Sequence, residues 1–124
     1  MRQAGLCHIH LVAPTTPEDR IAMIVKNATG FIYYVSREGV TGMQQSVASN
    51  IAEMTACIHK YTDLPVAVGF GISSPEQARL VANQADAVVV GSAIVNQIAA
   101  HGSSDQLVAH TAEFVKKIAN AIKG

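Results

Sequence analysis

The sequence predicts an α/β fold of four βα units, with parallel strands covered by helices. Three observations point there. Short, almost wholly apolar runs alternate with longer segments of helical periodicity. Turn residues separate each run from the segment that follows it. Nearly half of the 124 residues are apolar and 15% are charged, as expected of a compact chain with a sizeable core.

The elements follow in order. Cys7 to Ala13 is expected as the first strand. Thr16 should cap the first helix, because Pro17 suits the first helical position and Asp19 could complete a capping box. Ile21, Ile24 and Val25 then recur at helical spacing as far as Asn27, and Gly30 breaks the pattern. Phe31 to Val35 is aromatic and β-branched, which favours a buried strand. A polar loop, Ser36 to Gly42, leads to a longer helix with Val47, Ile51, Met54 and Ile58 on one face. After Leu64 and Pro65 the third strand is Val66 to Val68, with Gly69-Phe70-Gly71 just beyond it. Ser74-Pro75 repeats the capping logic for a helix that ends near Asn83. Ala87 to Val90 is the fourth strand, a short helix should run from Ala93 to Ala99, and His101-Gly102-Ser103 should form a turn. The last helix, Asp105 to Ile122, carries Leu107, Val108, Phe114, Val115 and Ile118 on its apolar side.

Composition excludes several function classes. Nine basic and nine acidic residues cancel, and no Lys/Arg cluster offers a footprint for nucleic acid or an anionic membrane. Lys116 and Lys117 read as a solvated helix face. No run approaches the roughly 20 apolar residues of a membrane span, and the N-terminus does not resemble a signal peptide. A cytoplasmic protein is expected. Cys7 and Cys57 have neither metal-knuckle nor redox spacing and are expected as small buried hydrophobes.

Four βα units fit either a small open doubly wound sheet or part of a (β/α)₈ barrel, which needs about 250 residues in full. The strand ends favour the barrel. Gly39 and Gly42 follow the second strand, Gly69 and Gly71 the third, and Gly91 the fourth. Glycine lets a backbone amide approach a ligand closely, and a helix N-terminus adds unsatisfied donors and partial positive charge. Such a cup holds an anion without Lys or Arg. The last two strand ends of a barrel, with a short extra helix, are a frequent phosphate site, and the helix starting at Ser92 fits that description.

At these residues the chain resembles the tryptophan synthase α chain family. The signatures are Leu11-Val12-Ala13-Pro14-Thr15-Thr16-Pro17, then Gly30 through Gly42 with Tyr33-Tyr34-Val35-Ser36-Arg37-Glu38-Gly39-Val40-Thr41-Gly42, then Gly69-Phe70-Gly71-Ile72-Ser73, and Gly91-Ser92-Ala93-Ile94-Val95. The resemblance implies a (βα)₄ half of a TIM barrel, its fifth to eighth βα units, in one domain of residues 1–124. It also implies the family reaction, cleavage of indole-3-glycerol phosphate to indole and glyceraldehyde 3-phosphate in tryptophan biosynthesis. By resemblance, Gly42, Gly71, Gly91 and Ser92 would hold the substrate phosphate and Phe70 would lie against the indole. Tyr33 would sit beside the reacting centre, and Arg37 and Thr41 would belong to a mobile loop. No cofactor is implied for this chain, since pyridoxal phosphate belongs to the family's β subunit, a further expected partner. The family's catalytic Glu and Asp come from early strands that this sequence does not match, and Glu38 has no evident partner with which to replace them. Removing a general acid or base costs factors of about 10²–10⁴ each. Two functions are therefore carried forward: the phosphate half of an α-chain-type lyase, and a non-catalytic phosphate-binding or structural half-barrel that self-associates. Open barrel edges favour a homodimer or higher oligomer.

His8 and His10 share the strand face that Val12 would turn toward the helices. Imidazoles hydrogen-bonded at the edge of the core are the first reading; a new interface and a metal pair follow, the last without a third ligand nearby. His59, His101 and His110 read as surface residues.

Overall fold

A computed structural model describes residues 2–36, 44–69, 72 and 74–123, with the backbone alone described at residue 2 and at 44–49. After a 3₁₀ turn at Arg2–Ala4, the chain forms β1 (His10–Val12), α1 (Glu18–Lys26), β2 (Ile32–Val35) and α2 (Gln44–His59). It continues through β3 (Val66–Gly69), α3 (Pro75–Ala82), β4 (Ala87–Val89), α4 (Ser92–His101) and α5 (Leu107–Lys123). The four strands make one parallel sheet in chain order, β1-β2-β3-β4. The expected α/β class and all four βα units are present among the described residues.

Register divides the sheet into two faces. Val12, Tyr34 and Val68 lie level across β1 to β3, and Val68 is level with Val88 on β4. This row, with Ile32 and Val66, packs against Ile21, Val25, Ile51, Ile58, Ala78, Val81 and Ile118 of the helices. Burying one such side chain contributes about 1.5–3 kcal/mol. The alternate row holds Leu11, Tyr33, Ala67 and Ala87, and beyond it Val35, Gly69 and Val89. No helix covers that second face among the described residues, and Leu11 is 63% exposed there.

Five sequence expectations need correction. The first strand is three residues long, because residues before it bond elsewhere. His8 N–H donates to Thr29 Oγ1 at 2.8 Å, and Thr29 N–H donates to the His8 carbonyl at 3.3 Å. That clasp needs Gly30: its φ is +81°, and a Cβ there would stand 2.8 Å from Ile9 Cδ1. Outside the sheet, Cys7 is exposed and Cys57 half-buried, so only the latter sits near the expected environment. Thr16 does not cap α1. Its Oγ1 accepts from Ala13 N–H and its own N–H donates to the Ala13 carbonyl, both at 3.0 Å, so it closes the turn after β1. On α5, Ile118 is buried and Phe114 packs on the core, whereas Val108 is 79% exposed and Val115 41%. The helix therefore carries a second apolar stripe that turns away from the core. The short helix α4 is also longer than expected, spanning ten residues.

Ser74 caps α3 as the sequence predicts, with its Oγ accepting from Gln77 N–H at 3.3 Å. At the amino ends of β3 and β4, the Asp86 carboxylate accepts from Val66 N–H at 2.9 Å and lies 3.2 Å from His59 Nε2. His59, expected as a plain surface residue, thus ties the end of α2 to the sheet. Lys117 pairs with Glu113 at 3.6 Å on the solvated face of α5.

Candidate functional site

Near the carboxyl ends of the parallel strands the structure describes three of the residues that the sequence singled out, Tyr33, Gly91 and Ser92. On β2, Tyr33 points to the face without helices, one row below Gly69 of β3. A Cβ placed on Gly69 would stand 2.6 Å from Tyr33 Oη and 3.2 Å from Tyr33 Cζ and Val89 Cβ. The phenol therefore reaches up the sheet and its hydroxyl occupies the space a side chain at 69 would need. Gly69 lies within β3, and its carbonyl accepts from Ser36 N–H at 3.0 Å. At this position the absence of a side chain makes room for Tyr33. Sequence reasoning missed this pairing, since nothing local links the two positions.

Above Val89 the chain passes through Val90 to Gly91, which precedes α4 with φ −116° and ψ −80°. The Gly91 carbonyl accepts from Ile94 N–H at 2.9 Å and Val95 N–H at 3.1 Å. The amides of Ser92 and Ala93 come before those first closing bonds, where a helix has no partners of its own. A Cβ on Gly91 would meet nothing within 4 Å, and Gly91 and Ser92 are both exposed. Three helix starts can be compared. α3 has the Ser74 cap and Glu76 in its first turn. α1 lacks a side-chain cap but has Glu18 and Asp19. Only α4 of these three has neither a capping side chain nor an acid in its first turn. Its partial positive charge is thus left uncompensated.

Beside Tyr33, the ends of β1 and β2 enclose a cleft of about 570 Å³ lined by Leu11, Ala13, Pro14, Thr15, Thr16 and Val35, among others. Leu11 and Val35 share the sheet face of Tyr33, so that face carries an apolar bed at the ends of β1 and β2. From the sequence Thr16 was expected to cap a helix and Thr15 only belonged to the signature Leu11 to Pro17; a turn that brings both to a cleft mouth has no local signature.

Among the expected site residues, the structure describes Tyr33, Gly91 and Ser92. Arg37, Glu38, Thr41, Gly42, Phe70 and Gly71 lie outside the described residues. Of the carboxylates in first helical turns, Glu18 accepts from Tyr61 Oη at 2.7 Å and lies 3.7 Å from Lys60 Nζ. That hydrogen bond raises the Tyr61 pKa above its ordinary value, and it holds a surface contact rather than a reactive one.

The histidines form two stacks. His8 and His10 lie 4.2 Å apart between centroids at 27°, and His101 and His110 lie 4.3 Å apart at 11°. His10 Nε2 is buried with no hydrogen-bond partner, at odds with the hydrogen-bonded imidazole expected at the core edge. No group of three or more His, Cys, Asp or Glu side chains is disposed to hold a metal ion among the described residues. No described helix is long and apolar enough to cross a membrane.

Comparison with known proteins agrees on one family. The family model described as tryptophan synthase alpha chain matches residues 1–123. The tryptophan synthase alpha chain of Opitutus terrae is 57% identical over 112 residues, covering 90% of this chain and 42% of that one. That of Erythrobacter litoralis is 43% identical over 122 residues, covering 98% and 46%. Among solved structures, tryptophan synthase subunit alpha from Legionella pneumophila superposes with a TM-score of 0.80 at 34% identity, over 98% of this chain and 44% of that one. Mycobacterium tuberculosis tryptophan synthase gives 0.79 at 32%, over 99% and 44%. The chain therefore spans less than half the length of these relatives.

Proposed function

The chain belongs to the tryptophan synthase alpha chain family, and we propose that it supplies the phosphate-binding part of a site for indole-3-glycerol phosphate. In this reading its strands are the fifth to eighth of a TIM barrel, forming one half-barrel domain. The observation that carries the reading is the start of α4. Its first turn has no capping side chain and no acid, and its first amides are free of helical partners beside the exposed Gly91. A phosphate dianion placed there would accept from the Ser92 and Ala93 amides and the Ser92 hydroxyl. Gly42 and Gly71 are proposed to complete the cup, and Phe70 to contact the indole. Arg37 and Thr41 are proposed to cover the site from their loop.

The bed beside Tyr33 supports the same placement for the apolar ring of the substrate. Cleaving its carbon–carbon bond calls for an acid to protonate the ring carbon and a base to take a proton from nitrogen or hydroxyl. Each is worth about 10²–10⁴-fold, and the described site offers no carboxylate pair in those positions. The proposed activity of this chain alone is thus binding without turnover. Lyase chemistry would follow where another chain or segment supplies acid and base, with release of indole to a β subunit in the cytoplasm. Pyridoxal phosphate chemistry belongs to that β subunit.

Titration calorimetry with glycerol 3-phosphate tests the reading. Saturable binding is expected, weakened at least about tenfold by Ser92→Glu, which sets a carboxylate where the anion would sit. Absence of binding at millimolar ligand would overturn the phosphate assignment. Indole release from indole-3-glycerol phosphate by the pure chain would overturn the non-catalytic part.

A further inference from the structure

β1 and β2 pair level as far as Val12 and Tyr34, and β2 goes on to set Val35 level with Gly69 of β3. β1 ends at Val12. Ala13, one residue further, gives its N–H to Thr16 Oγ1 at 3.0 Å. Thr16 N–H closes the same turn on the Ala13 carbonyl, also at 3.0 Å. Pro14 takes the second position of this four-residue turn, where its fixed φ is favoured. Thr16 thus holds Ala13 through both its side chain and its backbone, and the chain leaves the sheet there. Where the two strand ends part, the cleft of about 570 Å³ opens, lined by Ala13 and Val35.

The turn has space on its other side as well. Pro14 and Thr16 also line a second cavity of about 340 Å³, with Ile21 of α1, Tyr34 of β2 and Met54 of α2. Tyr34 belongs to the helix-facing row, whereas Leu11 and Val35 belong to the opposite face. The stretch from Pro14 to Thr16 is therefore a thin wall between the cleft and a space on the helix side. Packing braces such a wall weakly, because a void gives its lining no contact atoms. Pro14 and Pro17 have no N–H to donate. The clasp on Ala13 is what fixes the wall.

We infer that Thr16 is a positioning residue for the apolar ring of the substrate: its hydroxyl, by holding Ala13, sets the mouth of the cleft between β1 and β2. The inference rests on the ring placement proposed above and adds the residue that fixes it. Thr16 acts through Ala13 and need not touch the ring. Without the hydroxyl, the Ala13 amide must find another acceptor, and the turn shifts to supply one.

Indole itself is the probe. The chain contains no Trp, so the fluorescence of added indole, excited beyond the tyrosine band, reports its own binding. Wild type, Thr16→Val and Thr16→Ser are titrated, with circular dichroism showing that each is folded. Valine keeps the branched shape and removes the acceptor; serine keeps the acceptor and removes a methyl group. Thr16→Val should weaken indole at least about fivefold, and Thr16→Ser should stay within about twofold of wild type. A residue that merely lined the cleft would give the reverse order, since valine is the more apolar. That order overturns the inference, and so does a wild type that binds no indole up to its solubility limit. Hydrogen exchange of the wild type gives a second reading that needs no variant. Saturating indole should slow exchange at the Ala13 and Thr16 amides; unchanged rates at both overturn the inference. Glycerol 3-phosphate, titrated into the same samples, should bind all three proteins equally. A parallel loss of its affinity in Thr16→Val marks a general loosening and overturns the positioning role. Its failure to bind any of them, while indole follows the expected order, refutes the phosphate assignment and leaves this inference standing.

Discussion

Adding one methyl group at Gly69 should destabilise the chain through a single tyrosine. In Gly69→Ala the new Cβ would lie 2.6 Å from Tyr33 Oη and 3.2 Å from both Tyr33 Cζ and Val89 Cβ. Carbon contacts settle near about 3.5–4.0 Å, so the ring must retreat by roughly an ångström. Overpacking of this kind costs about 1–3 kcal/mol. Alanine also restricts the unfolded chain, which returns about 0.4–1 kcal/mol because φ at Gly69 is not positive. A net loss of about 1–2 kcal/mol is expected. Tyr33→Phe removes the nearest atom and leaves the 3.2 Å contacts. In that background the alanine should therefore cost about 1 kcal/mol less, as in other coupled neighbours. Urea denaturation of the four proteins of the cycle, at one protein concentration, measures the coupling. If the two substitutions prove additive within about 0.5 kcal/mol, the claim that Gly69 exists to seat the phenol is wrong.

Ser74→Ala should lower stability by about 1 kcal/mol by removing the acceptor of the Gln77 amide, with Ser74→Asp restoring it in the same denaturation assay. Ile118→Ala should cost about 2–5 kcal/mol and Val108→Ala less than about 0.5 kcal/mol, although both are branched residues of α5, because only the first is buried. The Tyr61 phenol should ionise above its ordinary pKa, since Glu18 accepts its proton in a hydrogen bond. The neutral phenol is the form the fold favours, so this contact is present below the unfolded pKa and is lost as pH rises through the raised one. Ultraviolet titration should show Glu18→Gln bringing that ionisation back down.

Features that depend on a few adjacent residues were legible in the sequence. The Ser74-Pro75 cap is one, and the apolar run Val66 to Val68, which forms the buried strand β3, is another. Thr16-Pro17 carries the same local signature as Ser74-Pro75, yet its hydroxyl is taken by Ala13 N–H. A tight turn after β1 competes for that oxygen, and no helix-start pattern records the competition. The length of β1 was illegible for a related reason. Residues 7–9 have the composition of a strand, but the positive φ of Gly30 swings Thr29 toward His8 and diverts its hydrogen bonds. The candidate site divides in the same way. The amide-rich start of α4 could be anticipated from Gly91-Ser92 and the apolar run behind it, whereas the seating of Tyr33 on Gly69 joins two strands and needs the register.

That register also explains how one small sheet can separate stability from recognition. The row Val12, Tyr34, Val68 and Val88 meets the helices, and substitutions there should act on folding first. The row Tyr33, Ala67 and Ala87, with Gly69 and Val89 beyond it, faces away from them and leads to the start of α4. Gly69 is where the two demands meet. Its backbone belongs to the parallel ladder, while its missing side chain sets where the phenol stands on the opposite face. A side chain at 69 would therefore be felt twice, as lost stability and as a displaced hydroxyl beside the proposed anion cup. The two effects should separate in the Tyr33→Phe background, where alanine at 69 has no hydroxyl left to move.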